Sequence, residues 1–245
     1  IRMEDHRAPW IDHFECVREQ MKLIKHYRYP VTWLLQTDAM LSGPYCEFLR
    51  REMDANHEAG VWLEITRAHC EAAGVPFHGR EGINWDHHSQ ASLTVGYSQE
   101  ERLRLTDAAM RIFHDNFGYY PKSVAAWYLD SFTLDYLDRK YHIAATANCR
   151  DQWGTDGYSI WGGFWAGGYY PSRRNANLPA FGDDDRINTI LFRMLGSCPI
   201  NQYDAAIGGN GQKVITLEPA DCKDPAWISR FYANRSEERR VGKEC

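Results

Sequence analysis

No apolar run in this 245-residue chain reaches the length of a membrane-spanning helix, and no signal peptide is visible at its start. No block of lysine and arginine stands out. The 28 basic side chains are mixed among 33 acidic ones for a formal net charge of -5, which argues against a dedicated nucleic-acid protein. None of the seven cysteines (Cys16, Cys46, Cys70, Cys149, Cys198, Cys222 and Cys245) forms a CxxC pair, and their odd number argues against a complete disulfide framework. They read mainly as buried free thiols. There is no HExxH motif and no internal repeat. The pairs Gly162-Gly163 and Gly167-Gly168, and the run Gly208-Gly209-Asn210-Gly211, lack the strand–glycine–helix order and the lysine of a phosphate loop.

What is present is a chain long enough to bury one large core, with nine tryptophans and fourteen tyrosines. Such aromatics build cores and also line pockets for sugars and other ring-faced ligands. Apolar runs predict strands near Met3 and over 31–36, 61–65, 123–129, 143–148, 189–195 and 213–218. Ile1-Arg2-Met3 reads as the end of a strand that begins earlier. Helical spacing predicts helices over 11–27, 66–73, 99–117, 131–141 and 225–232, and another opening at Gly43-Pro44. Alternation of this kind argues for a parallel α/β sheet of seven strands with helices outside, over one domain, 1–234, with closure as a barrel as one reading. The alternative is an open, doubly wound parallel sheet. The charged tail 235–245 has no apolar face and is set apart from the domain.

Parallel α/β folds place their sites at the carboxyl ends of strands. Asp5, Asp38, Glu64, Asp130, Asp151 and Glu218 all fall at or just beyond predicted strand ends. Cleaving a glycosidic bond usually needs two carboxyl groups, one to protonate the leaving oxygen and one to attack or activate water. Glu64 and Asp130 are the expected pair. Glu64 interrupts the apolar run 61–65, where an ionised group is costly unless paired, and Asp130 follows the next strand. The competing reading of Asp130 is a helix cap. Asp5, Asp38, Asp151 and Arg193 are expected to bind sugar hydroxyls. Trp85, Trp153, Tyr158 and Trp161 are expected to offer aromatic faces, with a satellite hydrophobic cluster as the alternative. The long irregular segment 75–96 carries Asp86, His87 and His88, residue types that bind zinc, although neighbouring histidines point the same way only with unusual backbone geometry. Cys149 beside Arg150 has the setting of an activated thiol, and a structural cysteine is the stronger reading.

Several stretches resemble a known superfamily. His57-Glu58-Ala59-Gly60 is similar to the HExG stretch of the glycoside hydrolase/deacetylase superfamily, and Glu4-Asp5 sits where its deacetylases carry an acidic pair. VTWLLQTDAM, YYPKSVAAW and NCRDQWGTDGY look like a largely uncharacterised bacterial group within it. The resemblance implies an irregular seven-stranded β/α barrel acting on carbohydrate. Deacetylases of this superfamily place a metal-binding histidine pair after the HExG stretch. Here Val61-Trp62-Leu63-Glu64-Ile65 stands there instead, and Ala126-Trp127-Tyr128-Leu129-Asp130 replaces the arginine–proline motif. The expectation is therefore a glycosidase-like hydrolase of an oligosaccharide or polysaccharide, working without a metal. The alternatives are a deacetylase using zinc or another divalent metal on Asp5, His87 and His88, and a non-catalytic sugar-binding barrel. No nucleic-acid or membrane partner is expected.

Overall fold

The computed structural model describes residues 1–4, 9–149, 151–155, 158–161 and 168–194. In chain order the regular elements are α1 (His13–Tyr27), β1 (Val31–Leu35), α2 (Thr37–Leu41), α3 (Pro44–Glu52), β2 (His57–Trp62), α4 (Arg67–Ala73), α5 (Ser89–Ser92), α6 (Gln99–Phe117), β3 (Val124–Ala125), α7 (Ser131–Tyr141), β4 (Ala145–Cys149), β5 (Asp151–Thr155), β6 (Tyr158–Trp161), β7 (Gly168–Tyr169) and β8 (Ile190–Met194). Single 3-10 turns lie at Thr94–Gly96 and Asp183–Asp185.

Local chemistry sets the helix ends. Asp12 accepts from the Glu15 N–H at the start of α1, and Thr66 accepts from the His69 N–H at the start of α4. Ser98 and Glu101 form a reciprocal capping box that opens α6. Gly118 closes it at φ 78°, a left-handed conformation that glycine adopts without a side-chain clash. The main core lies between the first sheet and helices α1, α3 and α6. It contains Met21, Leu35, Leu49, Val61, Met110, Phe113 and Val124. Each large side chain buried there contributes roughly 1.5–3 kcal/mol relative to exposure. Among the described residues no helix is long and apolar enough to cross a membrane.

The expected closed barrel does not form. The described strands make two three-stranded sheets, β1-β2-β3 and β4-β8-β7, and a separate β5-β6 hairpin. The pairs β1·β2, β2·β3 and β4·β8 are parallel, as the alternating elements predict. Two features work against closure. β3 is only two residues long, and it meets β4 through isolated bonds in place of a ladder: Ser123 and Ala145 form a single parallel bridge and the Ala126 N–H donates to the Ala147 carbonyl at 3.2 Å. The chain then returns as β7, antiparallel to β8, and takes the edge that a further parallel strand would need. The described residues match an open sheet. The strand expected at 213–218 and the helix expected at 225–232 lie outside them.

A smaller correction places the site. The strand expected over 61–65 begins at His57 and ends at Trp62. The His57-Glu58-Ala59-Gly60 stretch is thus inside β2, paired with β1. Gly60 makes this possible, because a Cβ there would lie 2.6 Å from the Ser123 carbonyl oxygen. Glu64 consequently stands beyond the strand, at its carboxyl end.

Candidate functional site

Two acids follow the carboxyl ends of β1 and β2. Asp38 lies in the first turn of α2, and Glu64 lies two residues past β2. Both are buried. Glu64 Oε2 accepts from Arg2 Nη2 at 2.9 Å, Gln36 Nε2 at 3.0 Å and Trp62 Nε1 at 2.9 Å. One guanidinium and two neutral donors replace the water that burial removes. Asp38 has weaker support. Its Oδ1 accepts from the Ala39 N–H at 2.7 Å, and its Oδ2 from Asn84 Nδ2 at 3.3 Å. Burial pushes its pKa up to about 6, the charges of Glu4 and Glu64 add to the rise, and the Ala39 N–H and Arg2 oppose it.

The segment after α4 brings the next groups to the same place. Asn84 reaches Asp38, and the Arg2 guanidinium lies 3.8 Å from the centre of the buried Trp85 ring, a cation–π contact. Asp86 follows, also buried. Its Oδ2 accepts from the Arg80 N–H and from Arg80 Nε, both at 2.9 Å. Its Oδ1 takes Arg80 Nη2 at 3.2 Å and His88 Nδ1 at 2.6 Å. Burial acts to raise the Asp86 pKa, but these Arg80 and His88 hydrogen bonds outweigh it and hold the carboxyl well below the usual range.

His87 and His88 lie stacked, with ring centres 4.5 Å apart and planes 24° from parallel. Their pairing needs no strained backbone at His88, whose φ of -69° and ψ of 139° are ordinary extended values. One ligand atom from each of Asp86, His87 and His88 lies within 4.8 Å of the others. The donors, two imidazoles and a carboxylate, suit zinc and related divalent ions. His88 Nδ1 is bonded to Asp86 at 2.6 Å, which orients the ring beside the carboxylate. The expectation of a site without metal is corrected by this cluster.

The remaining predicted residues divide into three groups. Asp38, Glu64 and Trp85 come together through Arg2 and Asn84. Asp130 is held by a different set. Its Oδ1 accepts from the Thr133 N–H at 3.0 Å and Arg102 Nη1 at 3.1 Å, and its Oδ2 from the Thr94 and Thr133 hydroxyls at 2.7 Å each. It caps α7, as the competing reading anticipates. Asp5, one of the alternative metal ligands, lies outside the described residues, as do the side chains of Cys149, Asp151, Trp153, Tyr158, Trp161 and Arg193. Sequence reasoning missed Arg2, Gln36, Arg80, Asn84 and Thr94. Of the cysteines, Cys46 and Cys70 are free and buried, whereas Cys16 is free and exposed. Trp62 and Trp127 meet edge to face at 5.3 Å and help to line a cavity of about 480 Å³ that Arg2 and Trp33 also border.

No protein-family model and no curated protein matches the chain. Two solved structures are similar to it. One, from Parabacteroides distasonis, is described as a glycoside hydrolase/deacetylase; it shows a TM-score of 0.49 and 16% identity over 80% of this chain and 44% of its own. The other, from Mycobacterium smegmatis, is described as a polysaccharide deacetylase; it shows a TM-score of 0.49 and 13% identity over 92% of this chain and 60% of its own. The chain thus spans 44% and 60% of the lengths of these two proteins. At these values the resemblance is one of distant fold and says nothing about chemistry.

Proposed function

We propose that this chain is a divalent-metal-dependent hydrolase that removes an acyl group from a carbohydrate, with Asp86, His87 and His88 holding the ion. The observation that carries this reading is the three ligand atoms within 4.8 Å of one another. A divalent ion bound there supplies Lewis acidity toward an acyl carbonyl. Asp38 reaches the same loop through Asn84, and its pKa of about 6 suits a group that gives and takes a proton near neutral pH. Glu64 fixes Arg2 and the Trp62 indole through one oxygen. The indoles of Trp62 and Trp127 supply aromatic edges and faces of the kind that sugars pack against. Asp130 is held by Arg102, Thr94 and Thr133 and Glu64 by Arg2, Gln36 and Trp62, so this reading gives both supporting roles and leaves the chemistry to the loop.

The test is acetate release from a panel of acetylated glycans by the full chain, stripped with chelator and then reloaded with zinc, manganese or cobalt. The proposal expects release to disappear on stripping and to return on reloading. Release that survives complete stripping would overturn it.

A further inference from the structure

Resting on the metal reading above, we infer that Thr94 and Asp130 position the metal-holding histidines. His88 is the N-cap residue of α5. The carbonyl of His88 accepts from the Ala91 and Ser92 N–H groups, both at 2.9 Å, and from the Ser92 hydroxyl at 3.1 Å. The Leu93 N–H donates to the Ser89 carbonyl at 3.1 Å, and the 3-10 turn at Thr94–Gly96 follows at once. From His88 to Thr94 the chain is therefore one tightly wound, hydrogen-bonded piece. Ala91, Ser92, Leu93 and Thr94 are all buried. Gly96 permits the close winding, because a Cβ there would lie 2.1 Å from the Gln90 carbonyl oxygen.

This piece is tied to the fold at three points. The hydroxyl of the buried Tyr97 donates to the Ala91 carbonyl at 2.8 Å. The Ile65 N–H donates to the Ser92 carbonyl at 2.8 Å, which fixes the piece to the residue after Glu64. The Thr94 hydroxyl donates to Asp130 Oδ2 at 2.7 Å. Asp130 is itself immobilised by the Arg102 guanidinium from α6 and by the backbone N–H of Thr133 in α7. Asp130 thus joins three parts of the chain: the end of the histidine-bearing turn, the first turn of α6 and the first turn of α7. The other end of the ligand segment is held by Asn84 on Asp38. Hydrogen bonds made directly to metal-ligating side chains typically contribute about 10–100-fold in affinity, and a tie that acts through one intervening turn is expected at the low end of that range. Asp130 acts on the ion through Thr94 and the intervening turn, as a positioning residue.

The test is zinc titration by calorimetry on the chelator-stripped full chain, with the absorption spectrum of the cobalt-loaded form and a thermal melt for each variant. Thr94→Val removes the tie and leaves the α7 cap intact. Asp130→Asn keeps a capping oxygen but removes the charge. Thr133→Val removes a hydroxyl bond to the same carboxylate on the α7 side only. Thr94→Val and Asp130→Asn are expected to weaken zinc binding about 10-fold and to alter the cobalt spectrum. Thr133→Val is expected to lower the melting temperature while keeping the parent's affinity and spectrum. If Asp130→Asn fails to fold, Thr94→Val decides the matter. A folded Thr94→Val that binds zinc as the parent does overturns this inference and leaves the metal reading standing. Equal losses in Thr94→Val and Thr133→Val overturn it too, because they show general loosening. A parent that binds no zinc, manganese or cobalt overturns both.

Discussion

Asp38 and Asp86 are both closed to solvent, at 2% and 1% exposure, although Asp38 lies the deeper of the two, and their carboxyl groups are driven in opposite directions. Asp38 follows β1 and receives a backbone N–H and a side-chain amide. With no cation bonded to it among the described residues, burial wins and its pKa rises to about 6. Asp86 lies in the loop after α4 and receives the Arg80 guanidinium, two backbone N–H groups and His88 Nδ1. There the donors win, and the carboxyl stays ionised far into acid. The charge of a buried acid is set by its partners as much as by its depth. The strand end therefore has a group suited to carrying a proton, and the loop has a carboxylate paired with Arg80 that stays ionised beside two imidazoles.

The largest expected effect comes from removing the loop anion. Asp86→Ala leaves the Arg80 and His88 donors without their shared acceptor. Arg80 is half exposed, so water screens part of the loss. A destabilisation of about 3 kcal/mol is expected from urea unfolding at neutral pH. An unchanged midpoint would show that the donors are well served without Asp86, and the contrast with Asp38 would fail.

The second effect concerns pH. The Asp38 pKa is raised from 3.8 to about 6 on folding. Below 3.8 the carboxyl is protonated in both states. As pH rises toward 6 the unfolded chain ionises first, so this group makes the fold less stable across that window. His69 works the other way. Burial lowers its pKa from 6.5 to about 4, partly offset by its bond to the Leu105 carbonyl, so its contribution is lost as pH falls through the same range. In the parent the two slopes oppose each other. Asp38→Asn removes one of them, and its stability relative to the parent is expected to climb by on the order of 2 kcal/mol from pH 4 to pH 6.5. Denaturant unfolding across that range reads it, and parallel curves for variant and parent would contradict the assignment.

A smaller effect sharpens the comparison. Asn84→Ala takes away the side-chain donor to Asp38 Oδ2 and also the acceptor for the Ala68 N–H at 3.0 Å. Asp38 is expected to titrate higher still by carbon-detected NMR, with a stability loss of about 1 kcal/mol. A downward shift would mean that Asn84 does not stabilise the ionised form.

Much of this was readable in the sequence, for identifiable reasons. α6 is written in Ser98, Glu101 and Gly118, local signals that act within a turn of the helix. Glu64 drew attention as a charge in an apolar run, and Asp86, His87 and His88 are sequence neighbours. α2 was not readable, because it is five residues long and buries the polar Thr37 and Asp38. Closure of the sheet was misjudged because the count of apolar runs says nothing about β3 ending after two residues or β7 reversing direction. The bonds that build the site join distant residues. Arg2 and Glu64 are 62 positions apart, and Thr94 and Asp130 are 36 apart. No local pattern reports such pairs, since the fold alone brings them into contact.

Zinc titration of the chelator-stripped full chain, set beside the same titration of a His87→Ala/His88→Ala double variant, tests the central claim most directly. The account predicts one tight site in the parent and a loss of at least about 100-fold in the double variant, with the fold of both confirmed by thermal melts. Equal zinc binding by the two folded proteins, or none by the parent, would contradict it.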